Sequence, residues 1–436
     1  VNATQPTDTS PAPEIRAIAF YLPQFHPIPE NDEWWGKGFT EWRNVTKARP
    51  RFPGHYQPHL PADLGFYDLR LPEVREAQAD MARQHGIHGF CYYHYWFNGR
   101  RILERPFSEV LASGKPDFPF CLCWANENWT RRWDGYEAHV LLRQNYSAED
   151  DANHIRSLIP ALKDSRYIRV QGKPLVLIYR AELLPEPAAT VGIWQREALD
   201  AGLPGLYLAR VESYNSVAKG ITAVDFGFDA DVEFAPFSWR LGGRKFDHPL
   251  GRALTRLNLM PDAFRLHKVI DYSTMVKGML SRQRPFGARF HCVTPGWDNS
   301  ARREAGASIF HGSTPNLYEN WLKTVVERTS VERSGDERIV FINAWNEWAE
   351  GNHLEPDLEW GDAYLRATLA GLSASGESSL SVRSCTKSQN FGTVHGQEDD
   401  SLGHASGYWR QAYWAMRRAI AELKEMTRFF SPPWKN

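Results

Sequence analysis

The stretch "WNEWAEG", residues 345–351, sets Glu347 and Glu350 three residues apart among tryptophans, directly after the apolar run "RIVFINA". Glycosidic bond cleavage commonly uses two carboxyl groups flanking the anomeric carbon, one of them protonated at the start to assist the leaving oxygen. Two close acids beside indole rings suit that division of labour, because like charge and burial raise one pKa and separate the roles. An E-x-x-E pair also occurs on solvated helices, so the spacing leaves a plainer alternative open. In that alternative Glu347 makes a rim hydrogen bond and Glu350 caps the helix that follows.

Indoles and polar groups follow other apolar runs. "PENDEWWGKGFTEWRNV" carries Trp34, Trp35, Glu41 and Trp42, and "YYHYWF" carries His94, Tyr95 and Trp96. "WANENWTRRWDG" carries Trp124, Asn126, Glu127, Asn128, Trp129 and Trp133; Glu212 ends a fifth run, and "GWDNS" adds Trp297 and Asp298. Indole faces stack on the C–H faces of pyranose rings, and carboxylates and amides hydrogen-bond their hydroxyls. The expected glycan-contacting set is therefore Tyr21, Trp42, Tyr95, Trp96, Trp124, Asn126, Glu127, Trp297, Trp345, Asn346 and Trp348, around Glu347 and Glu350 as the catalytic pair. No P-loop and no Gly-rich dinucleotide turn occurs, and neither cofactor nor metal is expected. His94 reads as a satisfied buried histidine. Asp229 and Asp231 form a D-x-D, with which many sugar-nucleotide transferases hold a metal; here it opens an apolar strand, and a structural role is the expectation.

What must position these groups is a series of eight short apolar runs: 15–21, 89–96, 118–124, 174–179, 205–211, 229–234, 290–295 and 338–345. Most are continuous rather than alternating, as in strands buried on both faces of a parallel sheet. Helix signals lie between them. "PEVREAQADMARQHG" opens on Pro72 and stops at Gly86, and Ser147 caps a segment that places Ile155, Leu158, Ile159 and Leu162 on one face. Further helices are expected in "VGIWQREALDAG", "HKVIDYSTMVKGMLSR", "TPNLYENWLKTVVER" and "GDAYLRATLAGL". Eight alternations predict an α/β fold, a (β/α)8 TIM barrel over residues 15–372, whose site lies in the loops after the C-terminal strand ends. An open doubly wound sheet would more often show a Gly-rich first turn, which "YLPQFHPIPEND" is not. The sixth repeat is weakest: "DADVEF" is short and precedes a long basic insert.

Residues 1–14 read as a flexible N-terminal segment, 373–403 as a polar Ser/Gly-rich linker, and 404–436 as a C-terminal helical tail with amphipathic spacing. That tail could rest on a membrane surface or a partner; packing on the barrel, or joining a further domain since removed, is the expectation. The net charge of −1 gives no bulk electrostatic case for nucleic acid or an anionic membrane. The hydrophobic share of 42% suits a soluble globular chain. No apolar run approaches the ~20 residues of a membrane span. "VNATQPTDTSPAP" lacks both the charged and the apolar regions of a signal peptide, and it lacks a starting Met, so the chain reads as processed or cut from a longer protein. Cys91, Cys121, Cys123 and Cys292 lie in apolar runs and Cys385 in the polar tail, which reads as reduced thiols in a cytoplasmic protein; no Cys/His spacing suggests zinc. Sequons at Asn2, Asn44, Asn128 and Asn145 are short enough to be chance.

Five blocks, "YLPQFHPIPENDEWWGKGFTEWRNV", "GFCYYHYWFNGRRILERPF", "CWANENWTRRWDG", "GKPLVLIYR" and "NAWNEWAEGNHLEPD", resemble the WbsX-like family of bacterial polysaccharide-biosynthesis proteins. That family is similar to glycoside hydrolase family 99, the endo-α-mannosidases and endo-α-mannanases. The resemblance covers residues 15–372 and implies a barrel acting with retention on an α-linked glycan. In those hydrolases an "NEWHEG" motif supplies both glutamates. Carried over, Glu347 is the base that deprotonates the sugar 2-hydroxyl, whose oxygen forms a 1,2-anhydro intermediate; Glu350 is the general acid and then the base that activates water. No metal takes part. Ala349 stands where the hydrolases have His, which bears on the leaving-group side and the substrate. Members of the WbsX-like family are also named glycosyltransferases. The implied alternatives are therefore a transferase of O-antigen or capsule assembly, with Arg131, Arg132 and Arg244 as phosphate contacts, and a non-catalytic glycan-binding barrel.

Overall fold

The computed structural model describes residues 15–131, 136–236, 243–257, 259–282 and 287–373. The expected N-terminal segment, nearly all of the linker, the tail, Cys385, Asn2, Arg132 and Trp133 lie outside the described residues, as does the side chain of Arg131. No helix among the described residues is long and apolar enough to cross a membrane.

Eight parallel strands close into a barrel: β1 (Arg16–Tyr21), β2 (Ile87–Phe97), β3 (Phe120–Trp124), β4 (Lys173–Ile178), β5 (Tyr207–Val211), β6 (Ala230–Val232), β7 (Ala288–Val293) and β8 (Ile339–Ile342). β1 pairs with β2 (Ile18 opposite Gly89) and with β8 (Arg16 opposite Ile339), which completes the ring. All five residues of β3 and of β5 are buried, the pattern forced on strands covered by helices outside and by side chains within. Inside, Phe20 stacks against Tyr93 at 5.6 Å and Phe341 at 5.4 Å. Cys91, Cys121, Cys123 and Cys292 are free thiols in this core.

Helices α1 (Pro72–Gln84), α2 (Arg105–Ser113), α3 (Ala148–Leu162), α4 (Pro187–Asp200), α5 (Tyr214–Ala218), α6 (Tyr272–Leu280), α7 (Pro315–Glu332) and α8 (Ala363–Ser373) follow the strands in turn. Their starts obey local chemistry. Ser147 caps α3 by accepting the Asp150 amide, and Thr314 caps α7 by accepting the Leu317 amide at 3.3 Å. Ile155, Leu158 and Leu162 face inward as their spacing predicts.

Two segments depart from the sequence expectation. "HKVIDYSTMVKGMLSR" is not one helix: Lys268–Asp271 forms a strand paired with Ser308–His311, and α6 begins only at Tyr272 behind an Asp271 cap. Local helical spacing yields there because a second strand is available to saturate the backbone. The last strand ends at Ile342 rather than residue 345, so the glutamates sit on an irregular segment beyond it. The sixth strand has only three residues, and its D-x-D is structural: Asp231 pairs with Arg210 at 2.6 Å and Asp229 accepts the Leu208 amide at 2.7 Å.

Gly89 makes the close β2 to β3 approach possible. A Cβ there would lie 2.5 Å from the Pro119 carbonyl oxygen, which already accepts the Phe90 amide. Gly89→Ala is expected to lower stability by about 1–3 kcal/mol through backbone displacement, read from the urea unfolding midpoint.

Candidate active site

A cavity of about 220 Å³ opens at the C-terminal ends of the strands. Tyr93 and Tyr95 reach it from β2, Glu127 from the segment after β3, Trp297 and Arg302 from the loop after β7, and Glu347 and Glu350 from the segment after β8. Gln24, Asn31, Trp34 and Trp35 close it from the long connection between β1 and α1. Its walls are aromatic: Trp129 meets Trp34 edge-on at 5.5 Å and Tyr95 at 5.3 Å, and Phe234 meets Trp297 at 6.3 Å.

One guanidinium organises the acids. Arg302 Nη2 donates to Glu347 Oε1 at 2.6 Å and to Glu41 Oε2 at 3.0 Å, and Nη1 faces Glu350 Oε1 at 2.7 Å. Arg302 is buried, as are Glu41 and Glu347. Burial pushes the carboxyls of both Glu347 and Glu350 above the ordinary glutamate range; Arg302 pulls them back, and Glu41 pushes them up again. The pair is therefore built to hold a proton near neutral pH. Glu347 is the more enclosed of the two, with 10% side-chain exposure against 19% for Glu350, so desolvation favours the shared proton on Glu347 in the unliganded chain.

Asn31 adds an unusual feature. It is fully buried and lines the cavity, and neither Nδ2 nor Oδ1 has a hydrogen-bond partner among the described residues. Buried amides are ordinarily hydrogen-bonded at both ends, which marks Asn31 as an exception in this wall of the cavity.

Of the residues expected from sequence, the structure brings Glu347, Glu350, Tyr95, Glu127 and Trp297 to this cavity, with the rim residues Trp34, Trp35, Asn128 and Trp129. It sends the others elsewhere. Tyr21 lies in the core and donates to Gln78 at 2.7 Å. The Trp42 indole N–H is taken by the Tyr67 carbonyl at 2.8 Å, and that of Trp96 by Asp150 at 3.1 Å. Trp124 and Trp345 are fully buried, packed on His154 and Phe90 respectively. Asn126 joins two strand ends, giving its Nδ2 to the Arg180 carbonyl and accepting the Arg180 amide. Asn346 holds both backbone groups of Leu22, at 2.8 and 3.0 Å. Trp348 stacks on His353 at 3.7 Å and donates to Glu355 at 2.6 Å. Tyr21, Trp42, Trp96, Asn126, Asn346 and Trp348 thus spend their polar groups inside the fold, and Trp124 and Trp345 serve as core packing.

The remaining rim candidates also have internal partners. Glu212 is ion-paired with Arg289 and, at 2.8 Å, with Arg282. Asp298 is held by His55 at 2.6 Å and Gln57 at 2.7 Å. His94 lies 3.0 Å from His154 within the protein, the satisfied buried histidine that the sequence suggested. The plainer view of Glu350 as a helix cap does not hold, since α8 starts at Ala363 and Glu350 faces Arg302.

Sequence reasoning missed Arg302, Asn31, Gln24, Tyr93, Tyr179 and Phe234, all of which line the cavity. For Arg302 a signal existed: three acids on one buried rim demand a cation, and "DNSARRE" supplies one just after Trp297. Asn31 stands three residues before Trp34 on the Pro29–Trp35 helix, which puts the two on one face.

A closed barrel whose C-terminal mouth holds paired carboxyls between aromatic walls defines the class as a (β/α)8 barrel. The chain belongs to the family described as "Glycosyltransferase WbsX", whose model matches residues 17–368. Two curated relatives, each described as "Uncharacterized protein WxcX", come from strains ATCC 33913 and B100 of Xanthomonas campestris pv. campestris; each is 45% identical over 355 residues. Those matches cover 81% of this chain and 49% of the relative, so the chain spans about half the length of the curated relatives it matches. Among solved structures, one described as "Glycoside hydrolase-like protein" is similar with a TM-score of 0.51 and 14% identity, over 85% of this chain and 97% of the other. The GH99 endo-alpha-mannosidase from Bacteroides thetaiotaomicron gives 0.48 and 15%, over 83% and 98%.

Proposed function

We propose that this chain is a retaining enzyme acting on an α-linked glycan of bacterial polysaccharide, with Glu347 and Glu350 as its catalytic pair. The observation that carries the proposal is that both carboxyls meet one buried guanidinium inside an aromatic-walled cavity at the barrel mouth. Two acids held on one guanidinium, on the face of the barrel where such folds do chemistry, support that reading.

In the first step Glu347 takes the proton of the sugar 2-hydroxyl, and the freed oxygen attacks the anomeric carbon. Glu350 gives its proton to the departing glycosidic oxygen as the C1–O bond breaks. In the second step Glu350 takes a proton from water, or from an acceptor hydroxyl, whose oxygen opens the 1,2-anhydro ring. Glu347 returns its proton to O2. Two inversions at C1 give net retention, and choosing water or an acceptor decides hydrolysis or transfer. These roles need the proton on Glu350 when the bond breaks, whereas burial favours Glu347. Substrate binding must therefore move it, and the role assignment rests on the motif match. Trp34, Trp129 and Trp297 supply stacking faces, and Asn31 and Glu127 supply hydroxyl contacts.

The family's description as a glycosyltransferase favours a second reading, transfer from an activated sugar. One experiment separates them. The protein is incubated with α-mannan-type oligosaccharides, and in parallel with sugar nucleotides plus acceptor, and products are followed by proton NMR. Cleavage in the first arm with the α anomer appearing before mutarotation supports the retaining hydrolase. Product in the second arm alone supports the transferase. First-formed β anomer overturns the paired-glutamate mechanism.

A further inference from the structure

The connection between β1 and α1 and the segment after β8 meet in a second cavity, of about 240 Å³, which shares Trp297 with the first. Three side chains converge there. His59 Nδ1 lies 2.9 Å from His353 Nε2, and Asp357 Oδ2 lies 3.7 Å from that same nitrogen. The three donor atoms all fall within 4.8 Å of one another. Their spacing along the chain gives no metal signature, because His59 and His353 are 294 residues apart.

Two of the three are oriented by other groups. His353 Nδ1 sits 2.9 Å from the Glu355 carbonyl oxygen, so that nitrogen carries the proton and Nε2 presents its lone pair to the cluster. The same ring is clamped flat on Trp348. Asp357 Oδ1 accepts the amides of Glu359 and Trp360, which turns Oδ2 toward the histidines. His59 packs against the Tyr56 ring at 4.2 Å. The neighbouring His55 is already engaged, with Nε2 on Asp298 and Nδ1 accepting the Arg51 amide.

Two imidazole nitrogens 2.9 Å apart either share one proton or bind one cation. The third donor distinguishes the cases, since an N–H···N bond has no use for an oriented carboxylate. Zinc bonds of about 2.0–2.2 Å in tetrahedral array set ligand–ligand edges near ~3.4 Å, between the 2.9 and 3.7 Å seen here.

We propose that His59, His353 and Asp357 form a binding site for one divalent transition-metal ion of the zinc class, with a fourth position open to the cavity. The ion ties the β1 connection to the segment that leaves Glu350. It is separate from the carboxylate pair, none of whose side chains belongs to the cluster.

Tag-free protein, stripped with a chelator, is titrated with Zn²⁺ by calorimetry and with Co²⁺ by visible absorption. The expected result is one ion per chain, a tetrahedral cobalt spectrum, and a melting temperature that rises with Zn²⁺. His59→Ala, at a half-buried position, is expected to weaken binding at least about 100-fold and to abolish the zinc-dependent rise while melting near the metal-free parent. Should that variant fold poorly, the near-isosteric Asp357→Asn serves with the same expectation. No binding by the parent, or binding that survives both substitutions, overturns the proposal and leaves a plain histidine–histidine hydrogen bond.

Discussion

Glu350→Ala is expected to slow turnover of an unactivated α-linked oligosaccharide by about 10²- to 10⁴-fold, the usual worth of a positioned general acid–base group. The same variant should lose far less in kcat/KM on an aryl glycoside whose leaving group departs without a proton, because kcat/KM reports the first step; kcat still falls, since Glu350 also activates water in the second. Glu347→Ala should lose comparably on both substrates, since O2 must be deprotonated whatever leaves. The asymmetry follows because, in the first step, Glu350 alone assists the leaving group and Glu347 alone activates O2. Both are held by Arg302, Glu347 at 2.6 Å and Glu350 at 2.7 Å, so each substitution leaves its neighbour's anchor in place. The measurement is kcat/KM on the two substrate types. Equal losses for both variants on both substrates would remove the division of labour, and a reversed pattern would exchange the roles.

The second large effect is expected at Arg302. Its charge lowers both glutamates against a burial that raises them. Replacing it with methionine removes the lowering influence, so both carboxyls titrate at higher pH. Activity needs the base ionised, which sets the acid limb of the profile, and the acid protonated, which sets the alkaline limb. Both limbs therefore move to higher pH, by about 1–3 pH units if the usual effect of an adjacent opposite charge applies. Stability falls too: Glu41 and Glu347 are buried, and breaking such a cluster from one side typically costs about 3–5 kcal/mol. Arg302→Lys keeps a charge but cannot span three carboxylates, so it should shift the profile less. A pH profile of kcat/KM that stays in place in Arg302→Met would refute the electrostatic role given to this residue.

What the sequence carried was mainly local. Short continuous apolar runs suit strands covered on both faces, and eight of them separated by helix signals close most simply into a parallel barrel. The glutamates of "WNEWAEG" were legible because two acids directly beyond a buried strand must emerge at the barrel mouth. Residue type did not reveal which side chains face that mouth. Trp42, Trp96, Trp124, Trp345 and Trp348 have the same indole as Trp34, Trp129 and Trp297. The first five were assigned by what they pack on and, for Trp42, Trp96 and Trp348, by which acceptor takes the ring N–H, and neither can be read from the indole itself. Trp96 is held by Asp150, and Trp348 by Glu355 and His353.

The chain order thus determined the barrel, its polar mouth and the acidic pair, because hydrophobic period and strand-end position are properties of a short window. Only the tertiary structure joined Glu41, Arg302, Glu347 and Glu350 into one electrostatic unit, and His59, His353 and Asp357 into another. Ring closure is the physical reason. Pairing β1 with β8 brings the first and last loops side by side, and no pattern within either loop encodes what it will meet there.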